Sequence, residues 1–304
     1  MTVRFVRPVS RAAYAGKRLA EGGLLLFVLA ILAHRFGPLA TPHFIALLLA
    51  AGAMAALSLP LALRGLMRLW QVGARGGIAS ATAIVCALPP LALVLHGLFL
   101  YENLPHLYDV TTDPDDPPAW KRQVVAEQIW LPRPSFVSPA DRDRQRLAYP
   151  ALTGRRYEGA LDRVYEAVVK VGRENRIHFQ NTRRTPAARP PAPAEPDRAL
   201  TASGGANQPV PDVIPIPLPR PSLVEPSPVP AAPAGELLLQ GDTRTLILGL
   251  PFDLVVRLRE EEETTLVDMR VATRFGPHDL GEGARLAEGF LRALDAELLG
   301  IAAE

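Results

Sequence analysis

The sequence has a single cysteine and almost no acidic residues in its first third. Cys86 is alone among 304 residues, so one chain cannot form a disulfide framework or a cysteine-based metal site. Residues 1–101 contain nine basic residues and one acid, Glu21, whereas the rest of the chain contains 24 basic and 30 acidic residues. Because nucleic-acid binding needs clustered Lys and Arg, the mildly acidic remainder predicts no nucleic-acid partner.

Recognisable catalytic motifs are also absent from the sequence. It contains no His-Glu-x-x-His, no Gly-x-Ser-x-Gly, no phosphate-binding glycine loop and no dinucleotide fingerprint. The sequence therefore predicts no cofactor and no metal centre, and it leaves enzymatic activity without a signature.

Three long apolar runs, residues 19–36, 43–63 and 78–101, dominate the N-terminal part. Crossing a hydrocarbon core of about 30 Å takes roughly 20 helical residues, so we predict three transmembrane helices. The first run is the shortest, and a cleaved signal peptide is the alternative interpretation. The sequence ILAHR at residues 31–35 is a poor cleavage site, which favours a retained helix.

The basic residues predict the orientation of these spans. One group precedes the first span and a second lies between the second and third, whereas Arg35 alone lies between the first and second. We therefore expect a cytoplasmic N-terminus at residues 1–18 and a multi-pass protein of the bacterial inner membrane. Residues 102–304 would form a periplasmic or extracytoplasmic domain. The two groups are Arg4, Arg7, Arg11, Lys17 and Arg18, and then Arg64, Arg68 and Arg75.

A change of composition interrupts the C-terminal part. Residues 182–234 hold 15 of the 31 prolines, together with many Ala, Ser and Gly residues. Such a segment buries too little apolar surface to offset its conformational entropy, so we predict a disordered or polyproline II insertion within the domain.

The segments around this insertion have the periodicity of an α+β domain. Apolar residues at spacings of three and four predict helices over 155–172 and 283–299. Residues 176–180 and 237–248 resemble strands, and period-two alternation around residues 260–263 predicts a hairpin. We expect an antiparallel sheet with two helices on one face.

Charged residues of this part fall into an ion-pair group and a candidate cation group. In the predicted hairpin register Asp253 lies opposite Arg270, and Arg257 lies diagonal to Asp268, so these positions are interpreted as structural ion pairs. A separate acidic cluster is a weak cation candidate, because its Asp-Pro pairs are ordinary turn chemistry and its spacing matches no calcium loop. The cluster consists of Asp113, Asp115 and Asp116.

Several motifs together resemble a known family. They are YDVTTDPDDPP at 108–118, Tyr149-Pro150 before a helix, Asp253-x-x-x-Arg257, and VDMRVATRFGPHDLG at 267–281. In this order they resemble the bacterial domain-of-unknown-function family 1499, over residues 108–181 and 235–298. The resemblance implies an uncharacterised membrane or envelope protein and brings no catalytic residues.

One cluster in the loop before the last helix is a candidate ligand or anion site: Arg270, Arg274, His278 and Asp279. Arginines hold carboxylate or phosphate groups, and histidine moves protons near neutral pH. Two hypotheses follow. The favoured one is a non-enzymatic membrane protein, embedded in the lipid bilayer, whose outer domain binds an envelope protein or a small ligand. The alternative is an envelope hydrolase or anion-handling enzyme that uses this cluster.

Overall fold

Three long helices form the N-terminal part of the computed structural model. They are α1 (Arg11–Phe36), α2 (Thr41–Val72) and α3 (Gly77–Asn103), and all three are long and apolar enough to cross a membrane. Each of the three predicted apolar runs thus lies within a helix that extends beyond it. The structure describes residues 8–124, 126, 129–180 and 236–300, so the predicted insertion at 182–234 lies outside the described residues.

Small residues hold the three helices together. A cluster of buried alanines, including Ala20, Ala55 and Ala83, fills the space between them. Gly65 of α2 marks a close approach of α1 and α2, because a Cβ added there would lie 2.7 Å from the Cβ of Ala13 in α1. Lipid provides little hydrophobic force between helices, so close packing of small residues is what associates them.

One end of this three-helix bundle carries most of its basic residues, whereas Arg35 lies at the other end. The Ser10 N–H donates to the Arg75 carbonyl at 2.9 Å, and the Arg75 N–H donates to the Pro8 carbonyl at 2.8 Å. The start of α1 and the α2–α3 connection therefore meet at one end. The α1–α2 connection and the end of α3 lie at the other.

The C-terminal part contains one antiparallel sheet. Its order is β1-β6-β5-β4-β3, and β2 pairs with β6 beside β1. The strands are β1 (Asp109–Thr111), β2 (Arg155–Glu158), β3 (His178–Gln180), β4 (Glu236–Arg244), β5 (Pro251–Glu260) and β6 (Thr264–Thr273).

Two helices cover one face of this sheet, as predicted. Helices α5 (Leu161–Glu174) and α6 (Glu282–Leu299) contribute to one core with β4, β5 and β6. Fully buried Phe290, Leu254 and Met269 lie within it. A shorter helix, α4 (Pro139–Ala148), lies along the outer edge of β1. We refer to residues 105–180 and 236–300 as the α+β domain.

The helix predicted over residues 155–172 is wrong in its first part. Residues Arg155–Glu158 form β2, and the helix begins at Leu161. Tyr157 lies at helical spacing from Leu161 and Val164, which carried the apolar period across the boundary. Gly159 separates strand β2 from helix α5, because its φ of 127° is a backbone conformation that residues other than glycine rarely adopt.

The predicted register of the hairpin is also wrong, by two residues. Asp253 pairs with Ala272, and Arg257 lies directly opposite Asp268 rather than diagonal to it. Glu260 stays in β5, so the turn falls one residue later than predicted. The turn is closed by the Glu261 N–H, which donates to the Thr264 carbonyl at 2.8 Å.

The α+β domain packs on the end of the bundle that carries the α1–α2 connection. Leu248 and Leu250 join an apolar cluster around Phe44 of α2. The Trp130 indole N–H donates to the Pro42 carbonyl at 3.0 Å. The His278 ring lies 5.2 Å from the ring of Tyr101, in the last turn of α3. The domain therefore touches the bundle at several separate points.

Candidate functional site

The second face of the sheet brings carboxylates side by side. One row of directly paired residues crosses β1, β6, β5 and β4. It consists of Asp109, Ala272, Asp253 and Asp242, in that strand order. Residues opposite each other in a sheet point to the same side, and like charges in such positions destabilise it. The carboxylates of this face therefore need positively charged side chains beside them.

Arg257 is the centre of the largest charge network on this face. Its guanidinium is 3% exposed and donates to Asp268 at 2.8 and 3.2 Å, to Asp116 at 2.8 Å and to Asp113 at 3.1 Å. The hydrogen bond from Arg259 is the main cause that lowers the pKa of Asp116. The network joins β5 and β6 to the loop that follows β1.

The predicted cation cluster lies in that loop. The second carboxylate oxygen of Asp113 accepts the N–H groups of Asp115 and Asp116 at 3.2 and 3.0 Å, which closes a turn. Asp115 pairs with Arg146 of α4. Each of the three carboxylates thus faces an arginine, and among the described residues no group of three His, Cys, Asp or Glu side chains is placed to hold a metal ion.

Asp109 is held between two arginines. Arg270 donates to it through Nε and Nη2 at 2.8–3.1 Å, and Arg142 of α4 donates at 3.2 Å. The guanidinium of Arg270 also lies 5.1 Å from the centre of the Trp120 ring. This geometry fixes both arginines in place.

A glutamine attaches α4 to the edge of the sheet. Gln145 accepts the Thr111 N–H at 3.2 Å and donates to the Thr111 carbonyl at 2.6 Å. One buried side chain therefore satisfies both the N–H and the carbonyl of Thr111, which would otherwise be unpaired at the open edge of the sheet. The helix begins at a capping box in which Ser138 and Asp141 exchange hydrogen bonds.

A cleft of about 560 Å³ opens between α4 and the loop after β1. Phe136, 77% exposed, stands at its side. Three arginines and three prolines are among the other lining residues: Arg142, Arg146, Arg270, Pro114, Pro117 and Pro139. The cleft therefore combines an exposed aromatic ring with guanidinium groups held by carboxylates.

The four residues predicted as a ligand or anion site each have a partner within the chain. Arg270 holds Asp109 and lines the cleft, whereas Arg274 donates to both oxygens of Asp253 at 2.8 Å. Arg274, His278 and Asp279 are not among the residues that line this cleft.

His278 is buried between α3 and α6. Its Nδ1 accepts the Leu280 N–H at 2.7 Å, so Nε2 carries the proton and faces the Leu104 carbonyl at 3.3 Å. Its ring also lies 4.9 Å from that of His106. Burial lowers the pKa of His278, which keeps the ring neutral.

Asp279 serves the start of α6, although the Asp279-x-x-Glu282 spacing does not form a capping box. It accepts the N–H groups of Gly281 at 2.8 Å and Gly283 at 3.0 Å, while the N-cap position is Gly281. Glu282 pairs with Arg285 instead. Burial raises the pKa of Asp279 to about 6.

Sequence reasoning missed the part that α4 plays. Arg142 and Gln145 were not singled out, because the segment 119–148 has no sustained period. The Ser138-x-x-Asp141 spacing is a helix-start signal, and Pro139 occupies the first position of the helix. Together they would have located α4. Nothing local in the sequence indicates that this helix contacts β1.

Comparison with known proteins gives one match. Residues 223–294 match the family described as "Protein of unknown function (DUF1499)". The matched segment contains the hairpin and most of α6, which confirms the family resemblance there, while residues 108–181 fall outside it. No curated protein and no solved structure matches the chain.

Proposed function

Since residues 223–294 match the DUF1499 family and three helices suit a bilayer, we propose that this chain is a membrane-tethered binding module without catalytic activity. Its partner is a protein of the cell envelope, bound in the cleft beside α4. The exposed ring of Phe136 at the side of this cleft is the observation that carries the proposal.

The composition of the cleft suits an extended segment of a protein partner. Interface cores are enriched in aromatic residues and arginine, and such residues supply most of the binding free energy. Phe136 offers an apolar anchor, and Arg146, held only by exposed carboxylates, offers a guanidinium for an acidic group. The buried clamp of Asp109 on Arg142 and Arg270 supports the cleft floor.

The rigidity of the cleft also supports binding. Gln145 and Arg142 attach α4 to β1, so the helix need not be ordered when a partner arrives. A site ordered in advance loses less conformational entropy on association.

The alternative of a hydrolase or anion-handling enzyme has less support. That hypothesis requires Arg270, Arg274, His278 and Asp279 to converge on one concave site. Their side chains are engaged instead with Asp109, with Asp253 and with backbone groups around α6. These contacts leave the cluster a structural role.

Site-specific photo-crosslinking tests the binding surface. A photoreactive amino acid at position 136 of the full chain in native membranes is expected to give an adduct of discrete mass. Position 147 is the matched control, because Leu147 is 84% exposed at the end of α4 and does not line the cleft. Equal adducts from both positions, or none from position 136, would contradict the proposal. Arg146→Glu should reduce the adduct from position 136.

We further propose that the α+β domain lies outside the cytoplasm of a bacterial inner membrane. The basic start of α1 and the basic connection between α2 and α3 meet at one end of the bundle, and the domain packs on the other end. Basic loops stay in the cytoplasm.

Reporter fusions test this orientation. Alkaline phosphatase fused after Glu304 is expected to be active, and the same reporter fused after Arg75 is expected to be inactive. The reverse pattern would place the domain in the cytoplasm and overturn the proposed orientation.

A further inference from the structure

The β4–β5 connection, residues 245–250, exposes two large apolar side chains at its tip. Leu246 is 68% exposed and Ile247 is 79% exposed. The connection is well defined, because the Thr245 N–H donates to the Leu250 carbonyl at 3.0 Å and the Thr245 hydroxyl accepts the Leu250 N–H at 2.9 Å. The two side chains therefore project from a closed turn.

The same turn reaches the membrane-spanning helices. Leu248 and Leu250 pack into the cluster formed by Ala30, Phe44 and Leu48 of α1 and α2. A Cβ added at Gly249 would lie 3.1 Å from Cδ of Arg35, so the turn also contacts the end of α1.

The sequence of α2 gives the level of this contact. Its apolar run extends from Phe44, directly after His43, to Leu63, directly before Arg64. Twenty helical residues span about 30 Å, which is the thickness of the hydrocarbon core. Phe44 therefore marks the hydrocarbon boundary, and the turn lies at that boundary.

A second apolar segment of the domain lies at the same level. Ile129, Trp130 and Leu131 are exposed, and the Trp130 indole donates to the Pro42 carbonyl, two residues before Phe44. Tryptophan with one polar contact and one apolar side is typical of the membrane interface.

We propose that Leu246 and Ile247 insert into the lipid interface on the domain side of the membrane, so that the bilayer itself is their partner. Leu248 and Leu250 of the same turn already pack on α1 and α2. The exposed side chains of Leu246 and Ile247 therefore extend the apolar surface of these helices, which lipid would cover in a bilayer. A second protein would have to enter the interface to cover it. Arg35, beside Gly249, would direct its guanidinium to the lipid headgroups.

Depth-dependent fluorescence quenching tests this proposal on the full chain. The background is Cys86→Ala, and Ile247→Cys carries an environment-sensitive dye in phosphatidylcholine vesicles. We expect blue-shifted emission and quenching by spin-labelled lipid that is several-fold stronger than at a control position. The control is Glu262→Cys, exposed in the turn at the opposite end of β5, where aqueous iodide should quench instead.

Leu246→Cys provides a second labelling site if Ile247→Cys folds poorly. Equal access of iodide to positions 247 and 262 would overturn the proposal, because it would place the tip of the turn in water. Protection of position 247 from both quenchers would also overturn it, since protein would then cover the turn.

Discussion

The Arg257→Met variant is expected to lose about 3–5 kcal/mol of unfolding free energy, because it leaves a buried carboxylate without its cation. Asp268 is as buried as Arg257 and receives two hydrogen bonds from it. Asp113 and Asp116 lose the same partner. Pulse proteolysis of the full chain in detergent, over a range of urea concentrations, would measure the loss.

Two comparisons separate the buried charge from the loss of any surface arginine. Arg156→Met breaks an exposed pair with Glu261 and should cause no measurable change. Arg257→Met combined with Asp268→Leu should be more stable than Arg257→Met alone, because the unpaired charge is gone. An effect of Arg257→Met no larger than that of Arg156→Met would show that the network does not support the fold.

The Gly65→Val variant is expected to disrupt the packing of the three-helix bundle. The Cβ alone would lie 2.7 Å from the Ala13 Cβ and would also meet the Ser80 hydroxyl, so the helices must separate. Overpacking of this kind typically costs about 1–3 kcal/mol or more. Size-exclusion chromatography and thermal aggregation of the detergent-solubilised protein would report the loss.

Gly97→Val is the matched control for that experiment. Gly97 lies inside α3, where an added Cβ meets nothing within 4 Å. Both substitutions change helix propensity in the same way, so their difference isolates the helix contact. Gly65→Ala, which adds the Cβ alone, should have an intermediate effect. Equal behaviour of Gly65→Val and Gly97→Val would contradict the close approach of α1 and α2.

The elements that sequence predicts well are those whose signal is long or strictly periodic. The spans follow from runs near 20 apolar residues, and the hairpin follows from alternation in β5 and β6. The register failed because residues 260–263 are four glutamates, with no Gly, Asn or Pro to specify the turn. Strand β2 was missed because its pairing with β6 depends on residues more than 100 positions away.

The candidate site shows the same division. The acidic and basic residues of the polar sheet face are visible in the sequence, but their partners are not. Asp109 pairs with Arg142 and with Arg270, at separations of 33 and 161 residues. Only the folded sheet brings these groups together, and the cleft beside α4 depends on them. The sequence therefore shows which residues carry charge, but their contacts become visible only in the folded domain.

The contacts between the α+β domain and the bundle fix the direction in which a partner can approach. Each helix is contacted by the domain: Gly249 lies against Arg35 of α1, Trp130 bonds Pro42 of α2, and His278 bonds Leu104 at the end of α3. Because these contacts lie on three different helices, they oppose rotation of the domain relative to the bundle. We therefore expect the cleft to keep one orientation relative to the three helices, so that the proposed partner would have to approach it from that direction.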